Sequence, residues 1–221
     1  MSAPQPARGR PERIVLEGRY VRLEPLAEQH VAALYAAASA PGAEDRFRYL
    51  FSAPPTSEAD MAAWVALGAA KEDPLLFAVV DRDTGLCGGY QALMRIEPGH
   101  AVIEVGSIMW GPAIARTRKA TEAIHLFALY VFDELGYRRF EWKCNDLNGP
   151  SKRAAARFGF VFEGVFRQHM IVKGESRDTA WFAMLDGDWP RIKAEYERWL
   201  DPANFDEAGT QRTRLQTQSR P

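Results

Sequence analysis

A chain of 221 residues, 47% hydrophobic and 26% charged, has enough apolar material for one extended core, and two small domains are the less natural division. A net charge of −1 gives the surface as a whole no electrostatic case for nucleic acid or an anionic membrane, so any basic site must be local. The two cysteines, Cys87 and Cys144, sit in separate apolar runs, which argues against a disulfide framework; no apolar run approaches the roughly 18 residues that span a bilayer, and the first residues lack a signal peptide's apolar core. The expectation is a soluble, cytoplasmic protein.

Residues 1–12, rich in Pro, Arg and Gly, read as a disordered tail, residues 13–201 as a single domain, and residues 202–221 as a flexible tail. Residues 14–23 form two short strand-like pieces, IVLEG and RYVRL, broken at Gly18. Residues 27–40 are helical by propensity, with Val31, Leu34, Tyr35 and Ala38 on one face, and Pro41-Gly42 ends them. An aromatic-rich short helix and loop follow, then a helix through Gly68 that Thr56 or Ser57 caps and that buries Met61, Trp64 and Val65. These helices form a flap where a substrate pocket can be built. Residues 75–82 and 86–96 make a hairpin around Asp83-Thr84-Gly85, and Gly88-Gly89 marks a bulge or a close approach. Pro98-Gly99 turns into a third antiparallel strand, which ends at Gly111-Pro112.

Next comes a loop dense in positive charge, Arg116, Arg118 and Lys119, leading to a long helix from Thr121. A strand that reaches a helix N-terminus through a basic loop is a place to hold phosphate, because the first N–H groups lack partners and the helix dipole favours an anion. The plainer alternative is an ordinary connection with solvated charges. Gly136 stops the helix, and residues 137–144 alternate as a strand with Arg138, Phe140, Trp142 and Cys144 on one side. Strand, helix and strand imply a right-handed crossover and a parallel pair. Pro150 opens a short helix, residues 151–158, that Gly159 closes; residues 160–172 and 178–185 form a last hairpin, and residues 189–200 a terminal helix.

The segment NGPSKRAAARFGFVFEG, residues 148–164, with the order of elements before it, resembles the GNAT superfamily of acyl-CoA-dependent N-acyltransferases, and within it the ribosomal-protein alanine acetyltransferases. The resemblance covers residues 14–190. It implies an α/β fold: a mixed, twisted sheet of about seven strands, splayed in the middle and flanked by helices, with acetyl-CoA in the splay. It makes Ser107, Ile108, Met109 and Trp110 the edge that pairs with pantetheine. The pyrophosphate cradle becomes the loop 115–120, where the family shows Q/R-x-x-G-x-G/A. Laying Thr121-Glu122-Ala123 on the family's helix start puts Ala115 at the Gln/Arg position, Arg118 at the first glycine and Ala120 at the last small position. An arginine in place of that glycine either blocks the phosphates or joins Arg116 and Lys119 in charge-assisted bonds to them. Thr117, Thr121, Asn148 and Ser151 complete the set implied to bind the donor, and Lys152 or Arg157 are further candidates for the adenosine phosphates.

Asn148 and Ser151 lie one helical turn apart, and Asn148 reads as a helix cap. The resemblance gives Ser151 the task of donating to the departing thiolate. Amine attack on a thioester also needs a base. Glu104 either faces the pocket or makes a cross-strand ion pair on the solvent side. The resemblance places the base at Met170, which cannot serve, and its neighbour His169 faces the other way unless a bulge re-aims it. The base is thus open between Glu104, His169 and no protein group, with Asp178 a fourth candidate whose ordinary partners are Arg177 or Lys173. The aromatics Phe47, Tyr49, Phe51, Trp64, Tyr90, Trp142 and Trp181 are core by default, some near the flap being placed to cage an acceptor. No ligand set for zinc, flavin or a nicotinamide is found. The function expected is acetyl transfer from acetyl-CoA to a primary amine, a protein N-terminus or a small molecule, by direct attack in a ternary complex. The competing expectation is a non-catalytic acyl-CoA-binding module. Monomer and homodimer fit the sequence equally.

Overall fold

The apolar and alternating runs pair into one eight-stranded sheet in the computed structural model, which describes residues 3–218. The looseness expected of residues 1, 2 and 219–221 falls outside the described residues. In chain order the elements are β1 (Leu16–Glu17), β2 (Val21–Pro25), α1 (Val31–Ser39), α2 (Ala43–Phe47), α3 (Glu58–Ala69), β3 (Leu75–Asp81), β4 (Cys87–Glu97) and β5 (Val102–Trp110). There follow α4 (Arg118–Leu129), β6 (Arg139–Asn145), α5 (Gly149–Arg157), β7 (Val161–Val172), β8 (Glu175–Leu185) and α6 (Trp189–Leu200). The strand order is β1-β2-β3-β4-β5-β6-β8-β7, antiparallel except for the β5–β6 pair that the α4 crossover joins. Eight strands rather than about seven arise because Gly18 divides the first stretch in two. No helix among the described residues is long and apolar enough to cross a membrane.

The two faces of the sheet are covered differently. α4 and α6 pack on one face around Phe127, Tyr137, Phe140, Phe160 and Tyr196. On the other, α1 and α3 cover only β3–β5, through Leu34, Val65, Ala78 and Met109. Gly89 is the close approach its sequence context suggests: a Cβ there would lie 2.4 Å from the Met109 carbonyl oxygen of the neighbouring strand. α4 starts three residues before Thr121, because the Thr117 hydroxyl accepts from Lys119 N–H (3.1 Å) and caps it. Its last turn, Tyr130–Glu134, is π-helical before Gly136 ends the run with φ 68°. β8 begins at Glu175, three residues before the expected start.

Both segments expected to be loose are packed down. Ala7 N–H donates to the Pro98 carbonyl (2.9 Å) and Arg8 N–H to that of Leu135 (2.8 Å), while Phe205 is buried against Tyr20 and Trp199. Further on, Thr217 Oγ1 donates to the Arg157 carbonyl (2.8 Å). Such stretches are too polar to build a core, yet their backbone groups find partners at turns and helix ends that the body leaves open.

A buried carboxylate fixes α4 on the sheet. Glu122 accepts from the N–H groups of Arg19 (2.8 Å), Tyr20 (2.6 Å) and Val21 (2.7 Å), and Gly18 makes room for it: a Cβ there would be 2.6 Å from Glu122 Oε2. Glu122→Ala strands three donors and should lower the unfolding free energy by about 3 kcal/mol or more in denaturant titration, with Glu122→Gln milder. A loss below about 1 kcal/mol would show that water takes the carboxylate's place. In the same helix His125 stacks on Tyr196 (5.0 Å between ring centres), and burial, helped by Lys193 and opposed by Asp133, pushes its pKa from 6.5 down to about 4. The unfolded chain therefore takes up this proton before the folded one. Stability should be complete above pH 6.5 and fall as pH drops from there towards 4, a slope that His125→Phe flattens in thermal melts.

Candidate active site

The site is a gap that β5 opens. Parallel pairing with β6 runs from Val102↔Arg139 to Val105↔Trp142 and stops, although β5 continues to Trp110 and β6 to Asn145. At the same level β5 bulges against β4: Tyr90 pairs with Met109 and Ala92 with Gly106, so Ser107 and Ile108 stand opposite Gln91 alone. Ser107 takes φ 47°, which turns the strand away from β6. The start of α5 lies at this gap, with Asn148 Oδ1 accepting from Ser151 N–H (3.1 Å) as its cap. A cavity of about 940 Å³ results, bounded by β5, the end of β6, the flap and the β7–β8 hairpin.

Most of the residues singled out by sequence reach this cavity. Ser107, Ile108 and Trp110 line it from β5, Asn148 and Ser151 from α5, and Glu104, Arg116 and His169 from further round its wall. Met109 does not: it is 1% exposed and packs in the core under α1 and α3, since alternate residues of a strand face opposite ways. Of the three basic loop residues only Arg116, with φ 62°, faces the cavity. Arg118 lies 4.2 Å over the Tyr20 ring and 5.1 Å over that of Phe205. Lys119 Nζ is 2.6 Å from Asp81 and 3.4 Å from Asp83. Burial works against the Asp81 carboxylate, but Lys119, the Asp83 N–H and Thr84 together outweigh it and hold its pKa below the usual range. The early start of α4 places both side chains on the helix itself, so the expected cluster of phosphate-binding charge is reduced to one arginine. Thr117 serves as the cap; Ala120 and Thr121 are buried, Thr121 Oγ1 accepting from Arg157 (2.9 Å). Lys152 is likewise occupied, bonded to Asp146 (2.7 Å).

Ser151 is positioned by a residue that sequence reasoning assigned to the core. Trp142 Nε1 donates to Ser151 Oγ (3.0 Å). With one lone pair so engaged, the hydroxyl keeps its proton free to donate. Cys144 is also within reach of that hydroxyl; burial raises its thiol pKa and Ser151 partly opposes the shift. On the flap side, Tyr49, Phe51, Trp64 and Tyr90 line the cavity, with the Trp64 and Tyr90 rings tilted at 37° and their centres 4.5 Å apart.

Glu104 is both on the cavity wall and in an ion pair, but the pair is buried rather than on the solvent side. Its side chain is 3% exposed and Oε2 accepts from Arg95 (2.6 Å) and Lys143 (2.9 Å). Lys143 also reaches Glu141 (2.6 Å) and lies 3.9 Å over the Trp181 ring. His169 reaches the cavity through the bulge it required: Phe166 pairs with Thr179 and Met170 with Arg177, leaving three residues opposite Asp178. Gln168 takes φ 49° there and donates its N–H to Asp178 Oδ1 (2.7 Å). Asp178 therefore fastens the bulge instead of pairing with Arg177 or Lys173, and Lys173 donates to the Phe47 carbonyl (2.9 Å). Arg177 and Thr179, both lining the cavity, were missed as site residues. The available signal was their shared face on a strand whose alternate positions, Ala180 and Phe182, are core.

A sheet that splays beside a capped helix, over a cavity holding a serine hydroxyl that a tryptophan N–H positions, defines a class of acyl-transfer fold. The acetyltransferase (GNAT) domain model matches residues 21–161. A GCN5-related N-acetyltransferase from Brucella melitensis is 56% identical, over 96% of this chain and 96% of its own, with a TM-score of 0.93. A Chromobacterium violaceum protein described as a GNAT-family acetyltransferase is 37% identical over 86% of this chain and 94% of its own (TM-score 0.78). The chain belongs to the GNAT family of acetyltransferases. A RimL ribosomal L7/L12 alpha-N-protein acetyltransferase, 19% identical over 78% of this chain and 94% of its own (TM-score 0.67), shares the fold alone. Comparison with curated proteins gives no match.

Lys143 separates Glu104 from Glu141, which are neighbours in the β5–β6 register. Lys143→Met leaves the two carboxylates facing each other without the shared cation and should lower the melting temperature, while Lys143→Arg keeps part of it. An unchanged melting temperature in Lys143→Met would show that Arg95 and Arg139 suffice to hold the pair.

Proposed function

We propose that this protein transfers the acetyl group of acetyl-CoA to a primary amine by direct attack in a ternary complex. The observation that carries this is the stretch of β5 from residue 106 to 110 that β6 leaves unpaired, whose Gly106, Ser107, Ile108 and Trp110 line the same cavity as Ser151. An open strand edge suits the amide groups of pantetheine, and the N-terminal amides of α4 with Arg116 beside them suit a pyrophosphate. The glycine-poor loop is compatible with this because Arg118 and Lys119 are turned away.

In the reaction the amine nitrogen bonds to the thioester carbonyl carbon and the carbon–sulfur bond breaks. The backbone around Ile108 polarises the carbonyl, and Ser151, held by Trp142, gives its proton or a hydrogen bond to the leaving thiolate. His169 is exposed, lines the cavity and has no hydrogen-bond partner among the described residues, whereas Glu104 is committed to two cations. His169 is therefore the base that takes the amine's proton, directly or through water. Two free, buried thiols support a reducing compartment, the cytoplasm.

Calorimetry with acetyl-CoA should show micromolar binding that Arg116→Ala weakens and Arg118→Ala leaves unchanged. A folded protein that binds no acetyl-CoA would sink the reading, and binding without thiol release to any amine would replace it with a non-catalytic acyl-CoA-binding role. Ser151→Ala should lower kcat about tenfold or more with little change in KM; an unchanged rate with every active acceptor removes Ser151 from the reaction. His169→Ala should lower kcat about 10²-fold and abolish the fall in rate at low pH, while Glu104→Gln keeps that limb. The reverse pattern would assign the base to Glu104.

A further inference from the structure

We propose that the acceptor is a small amine bearing a carboxylate or phosphonate-type anion, and that Arg177, with Thr179 beside it, reads this anion inside the cavity. The inference rests on the acetyltransferase reading and names the substrate class of that site.

The buried charges of the sheet at the cavity are paired, with Arg177 the exception among the described residues. Glu104 is shared by Arg95 and Lys143, and Glu141 by Lys143 and Arg139 (2.6 Å each). Arg177 is only 8% exposed, yet it makes no side-chain hydrogen bond or ion pair among the described residues, and its Nε is buried without a partner. Its guanidinium lies 5.4 Å from the Phe51 ring, and Phe51 is itself exposed. Burial pulls the Arg177 pKa below the ordinary guanidinium value, Cys144 and Glu104 oppose the shift without undoing it, and Arg95 adds to it. Two residues along the same face of β8, Thr179 is 1% exposed and its hydroxyl is also buried without a partner. Buried donors are satisfied in folded proteins unless something else is to satisfy them. A planar guanidinium with a hydroxyl beside it suits a group with two or more anionic oxygens.

Placement assigns this anion to the acceptor rather than the donor. The donor's features, the β5 bulge and the start of α4, lie on one side of the gap. Arg177 is paired in register with Met170, beside His169, and Thr179 with Asn145 beyond the point where β5 and β6 part. Two hydrogen bonds hold the flap to its neighbours: Lys173 Nζ, in the β7–β8 turn, donates to the Phe47 carbonyl (2.9 Å), and the Tyr49 hydroxyl donates to the Leu147 carbonyl (3.3 Å) in the loop before α5. A flap tied down on two sides favours a small acceptor over an extended peptide.

The test uses the full chain and three matched probe series: ω-amino acids from glycine to 6-aminohexanoate, the corresponding ω-aminoalkylphosphonates, and the neutral amides of the acids. Thiol release from acetyl-CoA should favour the best anionic amine over its amide by about tenfold or more in kcat/KM, and the carboxylate and phosphonate arms decide which anion is preferred. Arg177→Met should remove that preference by raising KM for the acid, with the amide rate and acetyl-CoA affinity unchanged; Arg177→Lys should restore part of it. Thr179→Val, a smaller change, serves if Arg177→Met does not fold. Acids and amides acetylated equally, a preference that survives Arg177→Met, or a peptide outpacing every small amine would overturn the proposal and leave the acetyltransferase reading standing. Calorimetry of the same acids with the CoA-saturated protein separates the two claims. Binding that Arg177→Met abolishes, without turnover of any amine, keeps the anion site and removes the acetyl transfer. Neither binding nor turnover overturns both.

Discussion

β5 has partners on both sides as far as Val105 and on one side beyond it, and the arrangement of the site follows from that loss. A strand inside a sheet ordinarily has its N–H and C=O groups taken up by two neighbours; giving up one of them leaves a row of backbone groups that need water or a ligand. The bulge at Ser107 and Ile108 makes the departure local, since β4 keeps its hold on Met109 and Trp110 on the other side. Gly89 allows that hold by letting the Met109 carbonyl approach. Just past that loop, near the start of α4, Glu122 fixes the helix against β2, so the loop between β5 and α4 runs between two anchored elements. The opening is therefore rigid on its donor side.

The other wall is polar, and that is unusual for the middle of a sheet. Where α1 and α3 stop, the face of β5, β6 and β8 carries Glu104, Glu141, Lys143 and Arg177 instead of apolar residues. Buried ions are tolerated when their oxygens and protons are satisfied, and the chain from Arg95 through Glu104 and Lys143 to Glu141 and Arg139 does this by alternating sign. Trp181 adds its ring face to the lysine at the centre. Arg177 stands at the edge of this alternation with no carboxylate opposite it.

Much of the architecture was legible because it rests on local pattern. The terminal helix at residues 189–200 coincides with its expected bounds, Ser57 and Asn148 cap the helices that follow them, and the Gly88-Gly89 irregularity appears as a register shift between Val79 and Val80. The parallel pair followed from one helix between two strands. What sequence did not show depends on residues brought together from far apart. Arg118 looked like a phosphate ligand because its partners, Tyr20 and Phe205, lie about a hundred residues away on either side. Trp142 looked like filler because the Ser151 hydroxyl it binds is set by a helix cap and not by strand alternation. Asp178 looked like a surface partner for a neighbouring cation, and only the β7 bulge gives it a backbone N–H to hold. Composition gave no sign of the contacts that Ala7, Arg8, Phe205 and Thr217 make for a related reason, since hydrogen bonds to an already folded body leave no trace in hydropathy.

The stack of Arg118 on Tyr20 and Phe205 bears on how the protein should be handled. Phe205 lies beyond α6 and beyond the 21–161 stretch that the family model matches, yet it closes one side of the aromatic pair that keeps Arg118 off the loop. A fragment trimmed at residue 201 would lose that lid, expose Trp199 and Tyr20, and release a cation next to Arg116. Ligands selected on such a fragment would be chosen against a more positive loop than the full chain presents, so anionic hits from a trimmed domain would overstate their affinity for the whole protein.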